Sequence, residues 1–562
     1  MRKNWILHPV EESAVHRISE TLHVLPLVAR LLIRRGIHSA DAAEKFFHAD
    51  LSSLADPSRM AGLPQAVRLA RQAIQNRQKI LIVGDYDVDG LTSSALLFRV
   101  LSSLGADVSC HIPHRMEDGY GLKPEVVEKA GRDGVKLLIT VDCGTCSFRE
   151  LELARELGIE SIVVDHHDLD PAGHPPASAF LNPLRSDGSY PEKELASVGV
   201  AFTLARGLGT AEHLDLVALG TVADVAPLSG ENRVLVRAGL QALASTRKPG
   251  LQALLAAARL DGQVLTPEEI SFRLAPPINA AGRMGSAGPS FRLLTTEDPA
   301  EAEALVKSLM RDNRARGVLE REAFKRALTK VAREINFSRQ RVIVLEDEDW
   351  HPGVAGILAT RLTYRFHRPT VIIAGAGARC RGSARSTRAL DLVQALHSVR
   401  EHLIEFGGHP GAAGLTIERN RIAPFREALN RVAHERMDAG LLAPQVELDG
   451  ELPLSELTEE LVVDLETLAP FGTGNPRPVF LSRDARLPAG KVSAGFDPKG
   501  MRLIVESSGG KSFEALQPRE ALWDGLNLRR ARGDVHLAYS PVRRRQPEGF
   551  TIELRLRDLR FP

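Results

Sequence analysis

Apolar positions along the chain change rhythm several times, and the changes divide it. Up to about residue 75 they recur at helical spacing, as in LPLVARLLIRRGI and DAAEKFF, which predicts a helical N-terminal region over 1–75. From residue 79 short apolar runs alternate with amphipathic stretches. KILIVGD, ADVSCHIP, VKLLITVD and ESIVVDHH read as strands, and SSALLFRVLSSLG and SFRELELARELG as helices. Strand and helix alternating at that spacing predict a parallel sheet covered on both faces, over 76–295, with DLVALGTVAD (215–224) a further helix. The charged, Ala- and Leu-rich stretch 297–335 has no Pro after 299 and predicts one or two long helices, a connector over 296–337. The rhythm restarts with QRVIVLED, VAGILATRLTYRF and PTVIIAG, a smaller α/β domain over 338–440. From 445 to 562 short alternating stretches such as RLIVES, DVHLAYSPV and FTIELRLRDL predict an all-β module.

Composition narrows the class. A chain of 562 residues exceeds one hydrophobic core, and 43% hydrophobic with 25% charged residues is an ordinary globular balance. No apolar run reaches the roughly 18 residues of a membrane span. MRKNWILHPVEE lacks the apolar run of a signal peptide, and four Cys do not make a disulfide scaffold, so a reducing cytoplasm is expected; a monomer is expected as well. Net charge is +1, but 481–562 holds 16 Lys and Arg against 10 Asp and Glu, net +6, leaving −5 elsewhere. An acidic body with a basic tail suits a metal enzyme acting on a polyanion.

The candidate chemistry sits where strands end. GDYDVDG places Asp85, Asp87 and Asp89 after KILIV, VDCG places Asp142 after LLITV, and DHH places Asp165, His166 and His167 after ESIVV. TVAD brings Asp224 to the end of an apolar helix. A lone DxD also caps helices, and a lone HH is more often a surface or core pair. Successive strand ends in a parallel sheet, however, open onto one crevice. Backbone extended through 85–89 would put the three Asp side chains on one face, able to grip a metal pair. Carboxylates with one or two imidazoles favour Mn²⁺ or Mg²⁺ over Zn²⁺. Cys143 and Cys146 have CxxC spacing but no second pair, and read as small buried thiols.

GDYDVDG, VDCG, DHH and TVAD, in this order, resemble the DHH phosphoesterase superfamily. HIPHRMEDGYGL (111–122), INAAGRMG (278–285), RGSARS (381–386), GGHPGAAG (407–414) and LAPFGTGNPRPVF (468–480) are similar, in the same order, to its RecJ-like branch of single-strand-specific nucleases. The resemblance covers about residues 20–480 by motif and the tail by position. It implies a DHH domain and a smaller DHH-associated domain joined by a long helix, then an OB-fold, and no domain beyond that. It implies a 5′→3′ exonuclease of single-stranded DNA that releases 5′-mononucleotides by hydrolysis with two divalent ions, in recombination and repair. Single-stranded DNA, a single-strand-binding protein and a RecQ-type helicase are the implied partners.

Carried over residue by residue, the resemblance makes Asp85, Asp87, Asp89, Asp142, His166 and Asp224 metal ligands, with Asp142 the bridge. Asp165 would orient the imidazoles, and His167 would contact the scissile phosphate. Asn279, Arg283 and His409 match phosphate-contacting positions, and Ser383, Arg385 and Arg115 a pocket for the 5′-terminal phosphate. In the tail, Arg529, Arg530, Arg532 and Arg543 to Arg545 fit a basic groove, with Phe496, Phe513, Trp523, Tyr539 and Phe550 available to stack. Two other readings compete. A DHH phosphodiesterase of short oligonucleotides or cyclic dinucleotides would have no use for the tail or for residues 1–75. An inactive DNA-binding scaffold would have lost acidic ligands, and here all are present.

Overall fold

The computed structural model describes residues 3–115, 117–488, 496–497, 500–518, 532–546 and 549–562. Arg529, Arg530 and Trp523 lie outside the described residues, as do the side chains of Phe496 and Arg545. The chain forms two compact units: His48–Gly317 with Pro470–Pro476, and Met1–Phe47 with Val318–Ala469 and Arg477–Pro562. The division falls inside one 36-residue helix, Pro299–Glu334. No helix among the described residues is long and apolar enough to cross a membrane.

The first unit is built on a five-stranded sheet in the order Asp107–His111, Lys79–Gly84, Val135–Val141, Glu160–Val164, Ala179–Leu181. Every neighbouring pair is parallel. Both faces are buried, which is why these strands read as continuous apolar runs. Ile80, Ile82, Leu137 and Ile139 enter the core on one face, and Val83, Leu138 and Val163 that on the other. Each buried aliphatic side chain contributes roughly 2 kcal/mol. In such a sheet all strand C-termini lie at one edge, so the residues following KILIVG, VKLLITV and ESIVV converge there.

In the second unit a mixed five-stranded sheet runs Glu405–His409, Ala412–Glu418, Arg379–Arg385, Thr370–Ala374, Ile343–Asp347, of which only the last two are mutually parallel. The C-terminal strands close on themselves. Phe480–Leu487 pairs with Gly533–Gln546, then Gly549–Arg560, Ser512–Pro518 and Gly500–Ser507, which returns to Phe480–Leu487. A closed five-stranded barrel removes sheet edges and has the strand number of an OB-fold.

The N-terminal region is not wholly helical. Asn4–Leu7 is a strand paired in parallel with Gln445–Leu448. Trp5 Nε1 donates to Asp558 at 2.6 Å, and Arg560 stacks 4.0 Å over the Trp5 ring. Four residues give too short a window for periodicity, and their partner lies over 400 positions away.

Candidate metal centre

Asp85 follows strand Lys79–Gly84, but the backbone does not stay extended to 89, as the sequence reading supposed. Asp87 is the N-cap of helix Val88–Ser103, its Oδ1 accepting from the Gly90 amide at 3.1 Å. A capping Asp satisfies an amide that would otherwise be orphaned. Asp89 is therefore helical, on the first turn. A side chain on Gly90 would sit 2.7–2.8 Å from Asp85 backbone atoms, so this close return requires Gly. The turn splits the triplet. Asp85 and Asp87 approach Asp142, whereas Asp89 approaches His166 and Asp224.

Asp142 follows strand Val135–Val141 with φ +60, in the left-handed region. A non-glycine residue there is strained by about 1–2 kcal/mol. Two bonds hold it: its amide donates to Val164 O at 3.0 Å, and Tyr120 Oη donates to its carbonyl at 3.0 Å. Asp165, fully buried, accepts from the Thr145 amide and hydroxyl at 3.0 and 2.7 Å and from the His166 amide at 2.8 Å, and lies 2.8 Å from His167 Nδ1. Asn182 donates to the His167 carbonyl at 2.9 Å. Asp89 accepts from the Ser197 and Val198 amides at 2.7 and 2.9 Å, at the N-terminus of helix Ser197–Leu208. That end carries partial positive charge and suits a carboxylate.

Tyr120, Thr145, Asn182 and the Ser197–Val198 amides were not singled out from sequence. Tyr120 lies inside EDGYGL and could have been. The amides have no side-chain signature.

Donor atoms from Asp142, His166 and His167 lie within 4.8 Å of one another, and so do those from Asp89, His166 and Asp224, and from Asp85, Asp87 and Asp142. Asp142 and His166 each belong to two sets. His166 Nε2 is 3.4 Å from Asp142 and 4.0 Å from Asp89, and its Nδ1 is 4.0 Å from Asp224. Burial, with like charge second, raises these carboxyls: Asp85 to about 8 beside Asp87, and Asp89 and Asp224 to about 7. Asp142 is raised well above the usual range by burial and then by Asp89. Asp165 goes the other way. Burial opposes its charge, but the hydrogen bond from His167 and the imidazole charges bring it below the carboxylate range. His167, opposed by burial but paired with Asp165, rises to about 9.

One desolvated cluster of carboxyls thus resists ionisation, and the hydrogen-bonded His167–Asp165 pair lies beside it. Asp85 Oδ1 is buried with no hydrogen-bond partner. Hard oxygen donors, an orphaned carboxylate oxygen and mutual repulsion are what a divalent cation such as Mn²⁺ or Mg²⁺ relieves. The cysteines stay outside this chemistry. Cys143 is buried with its thiol 3.8 Å from Val83 O, and Cys146 is exposed rather than buried as expected.

Other candidates in this unit flank the cluster. Arg115 lies 4.6 Å over the Tyr86 ring. Helix Ala275–Met284 carries Asn279 and Arg283, and its Gly282 abuts the Tyr86 carbonyl. Asn279 Oδ1 is buried without a hydrogen-bond partner. Ser383, Arg385 and His409 belong to the second unit. There Arg385, Ala412 and His409 are opposite one another across three strands, and Ser383, Gly414 and Gly407 form the next row. Directly opposed residues share a sheet face. GGHPGAAG thus places small residues beside Ser383, Arg385 and His409 on that face, where Ser383 and Arg385 also lie close to Gly356 of helix Pro352–Phe366.

Acidic and imidazole donors at the carboxyl edge of a parallel sheet define a metal-dependent phosphoesterase of the DHH class. The chain matches the DHH family, N-terminal domain, over residues 79–221, the DHHA1 domain over 339–435 and the RecJ OB domain over 448–558. It is 36% identical over 545 residues to the single-stranded-DNA-specific exonuclease RecJ of Escherichia coli, covering 92% of each chain. It is 36% identical over 513 residues to the Bacillus subtilis exonuclease of that name, covering 90% of this chain and 65% of the longer relative. The Thermus thermophilus RecJ structure in complex with Mn²⁺ matches with a TM-score of 0.85 at 32% identity, over 100% of this chain and 80% of that one. A Mg²⁺ complex of the same protein matches with a TM-score of 0.78. The chain belongs to the RecJ family of single-stranded-DNA-specific exonucleases.

Proposed function

We propose that this metal-dependent exonuclease degrades single-stranded DNA from the 5′ end, releasing 5′-mononucleotides with two divalent ions in place. The observation that carries this reading is that Asp142 shares one donor set with Asp85 and Asp87 and another with His166, which is itself grouped with Asp89 and Asp224, so that Asp142 would link two ion sites. Asp85 and Asp87 would complete one site, and Asp89, His166 and Asp224 the other. When bound, the ions lower the pKa of a coordinated water and offset charge developing on the phosphoryl oxygens.

The chain's own residues do the rest. Asp165, 2.8 Å from His167 Nδ1, orients the imidazole and favours its protonated form, which suits His167 to donate to a non-bridging phosphate oxygen. Tyr120 holds the strained Asp142 backbone in place. Within the catalytic unit, Asn279 and Arg283 are suited to phosphates along the strand and Arg115 to the terminal 5′-phosphate; within the other unit, Ser383, Arg385 and His409 are suited to phosphate as well. By family resemblance, a single-strand-binding protein and a RecQ-type helicase supply the strand, in recombination and repair.

The test is a nuclease assay in Mn²⁺ or Mg²⁺ on single strands labelled at either end and on a blunt duplex, with Asp142→Ala as control. Mononucleotides released from the 5′ end of single strands only, and lost in the variant, are the expected result. Survival of long strands while dinucleotides are cut would overturn it.

A further inference from the structure

We infer that the loop Pro470–Pro476, which the chain lends to the catalytic unit from within its RecJ OB stretch, is a brace that positions Asp224 for metal binding. The inference rests on the reading of Asp224 as a ligand.

Asp224 caps helix Leu214–Ala223, and the next residue, Val225, has φ +65. The Val225 amide donates to Val222 O at 3.2 Å, and the Ala226 amide to Thr221 O at 3.3 Å. This is the Schellman helix ending, whose left-handed position is usually Gly because a side chain is strained there. A β-branched residue is among the worst choices there, because its branched side chain crowds the backbone. Val225 is also 63% exposed, so burial returns little of that cost. The turn that aims Asp224 therefore has to be held from elsewhere.

The hold comes from Pro470–Pro476. Leu228 donates its amide to Thr473 O at 2.7 Å. The loop is itself a tight turn, closed by the Gly472 amide on Asn475 O at 2.9 Å, the Asn475 amide on Gly472 O at 3.2 Å, and Asn475 Nδ2 on Pro470 O at 2.8 Å. Asn475 is 1% exposed, so its amide group is a built part of the turn. Gly474, at φ +73, lies so close that a Cβ would fall 2.9 Å from Pro227 Cβ. A Cβ on Gly472 would fall 2.6 Å from Leu228 Cδ1. Leu228 in turn belongs to the buried core of the catalytic unit. The residues before and after the loop, up to Ala469 and from Arg477, belong to the other unit. The motif APFGTGNP, which no catalytic step uses, thereby gains a task.

Gly474 and Asn475 are positioning residues, so their effect should be read in metal affinity. Mn²⁺ titrations of the full chain followed by electron paramagnetic resonance, without DNA, are compared for wild type, Gly474→Ala, Asn475→Ala, Asp224→Asn and Gly474→Ala/Val225→Gly, with thermal midpoints recorded. The expected result is about tenfold weaker binding of one Mn²⁺ in Gly474→Ala, as for other groups that orient a ligand. Val225→Gly should restore most of it, because glycine holds the turn unaided. Asn475→Ala serves if Gly474→Ala does not fold. Wild-type Mn²⁺ affinity in Gly474→Ala or Asn475→Ala, with binding weakened in Asp224→Asn, overturns the brace. Unchanged binding in Asp224→Asn instead overturns the ligand reading beneath it.

Discussion

The edge of the catalytic sheet and the surface of the C-terminal barrel treat charge in opposite ways. At the sheet edge Asp85, Asp89, Asp142 and Asp165 are buried together, with Asp87 and Asp224 partly covered beside them. On the barrel, opposite charges meet one another, at the surface except for the buried Glu553. Arg502 lies 2.9 Å from Glu514 and 3.5 Å from Glu553, and Arg544 lies 2.6 and 3.9 Å from the same two. Arg543 reaches Glu466 at 3.1 Å and stacks 3.9 Å over Phe550. Evolution tolerates buried like charge only where something compensates it, and here that is a divalent ion. Surface pairs of opposite sign need no such explanation. A net +6 in the tail therefore does not by itself make a basic groove, because these arginines already have carboxylate neighbours.

The largest effect that can break this comparison is at Asp142. Asp142→Ala should lower single-turnover cleavage at least about a thousandfold, about 4 kcal/mol of barrier, with the fold retained by circular dichroism. A loss of tenfold or less would remove Asp142 from the centre of the site. Next come Asp165→Asn and Tyr120→Phe, expected to cost about 10–100-fold in rate or Mn²⁺ affinity because each acts through a neighbour. Wild-type kinetics in both would mean that His167 and Asp142 hold their geometry unaided.

A pH series sharpens the contrast further. Asp85, Asp89 and Asp224 have folded pKa values raised from 3.8 to about 8, 7 and 7. Between pH 4 and 8 the folded state thus binds more protons than the unfolded state, so metal-free stability falls as pH rises. The penalty is absent below about pH 4 and complete above about pH 8. Thermal midpoints of metal-free protein should drop from pH 5 to pH 8, Asp85→Asn should flatten the drop, and Mn²⁺ should abolish most of it. An identical slope in Asp85→Asn would show that this carboxyl is not strained. The smallest effect belongs to the barrel: Arg544→Ala should change stability by less than about 1 kcal/mol in chemical denaturation. A larger loss would mean that the Arg–Glu network is structural.

Of the aromatic residues proposed to stack on bases, Phe513 and Tyr539 are buried, Tyr539 with its hydroxyl on Leu452 O at 2.9 Å. They build the barrel's interior. Phe550 is half-buried under Arg543. An alternating strand pattern shows that one face is covered, but not which of two apolar-looking faces meets the core, since that follows from closure of the barrel.

The sequence alone determined the strand–helix alternation of the catalytic unit, because a sheet buried on both faces needs continuous apolar strands. It also determined which residues follow each strand, and the parallel order then sends Asp85, Asp142 and Asp165 to one edge. Only the tertiary structure decided how the donors divide. The helix starting at Val88 turns Asp89 away from Asp85 and Asp87, and two backbone amides of a distant helix hold it. It alone decided the left-handed backbone of Asp142, the pairing of Asn4–Leu7 with Gln445–Leu448, and the seating of Pro470–Pro476 against Pro227 and Leu228. The reason is common to all of these. Backbone amides and carbonyls are the same at every position, so the contacts they make across hundreds of residues leave no mark in the order of side chains.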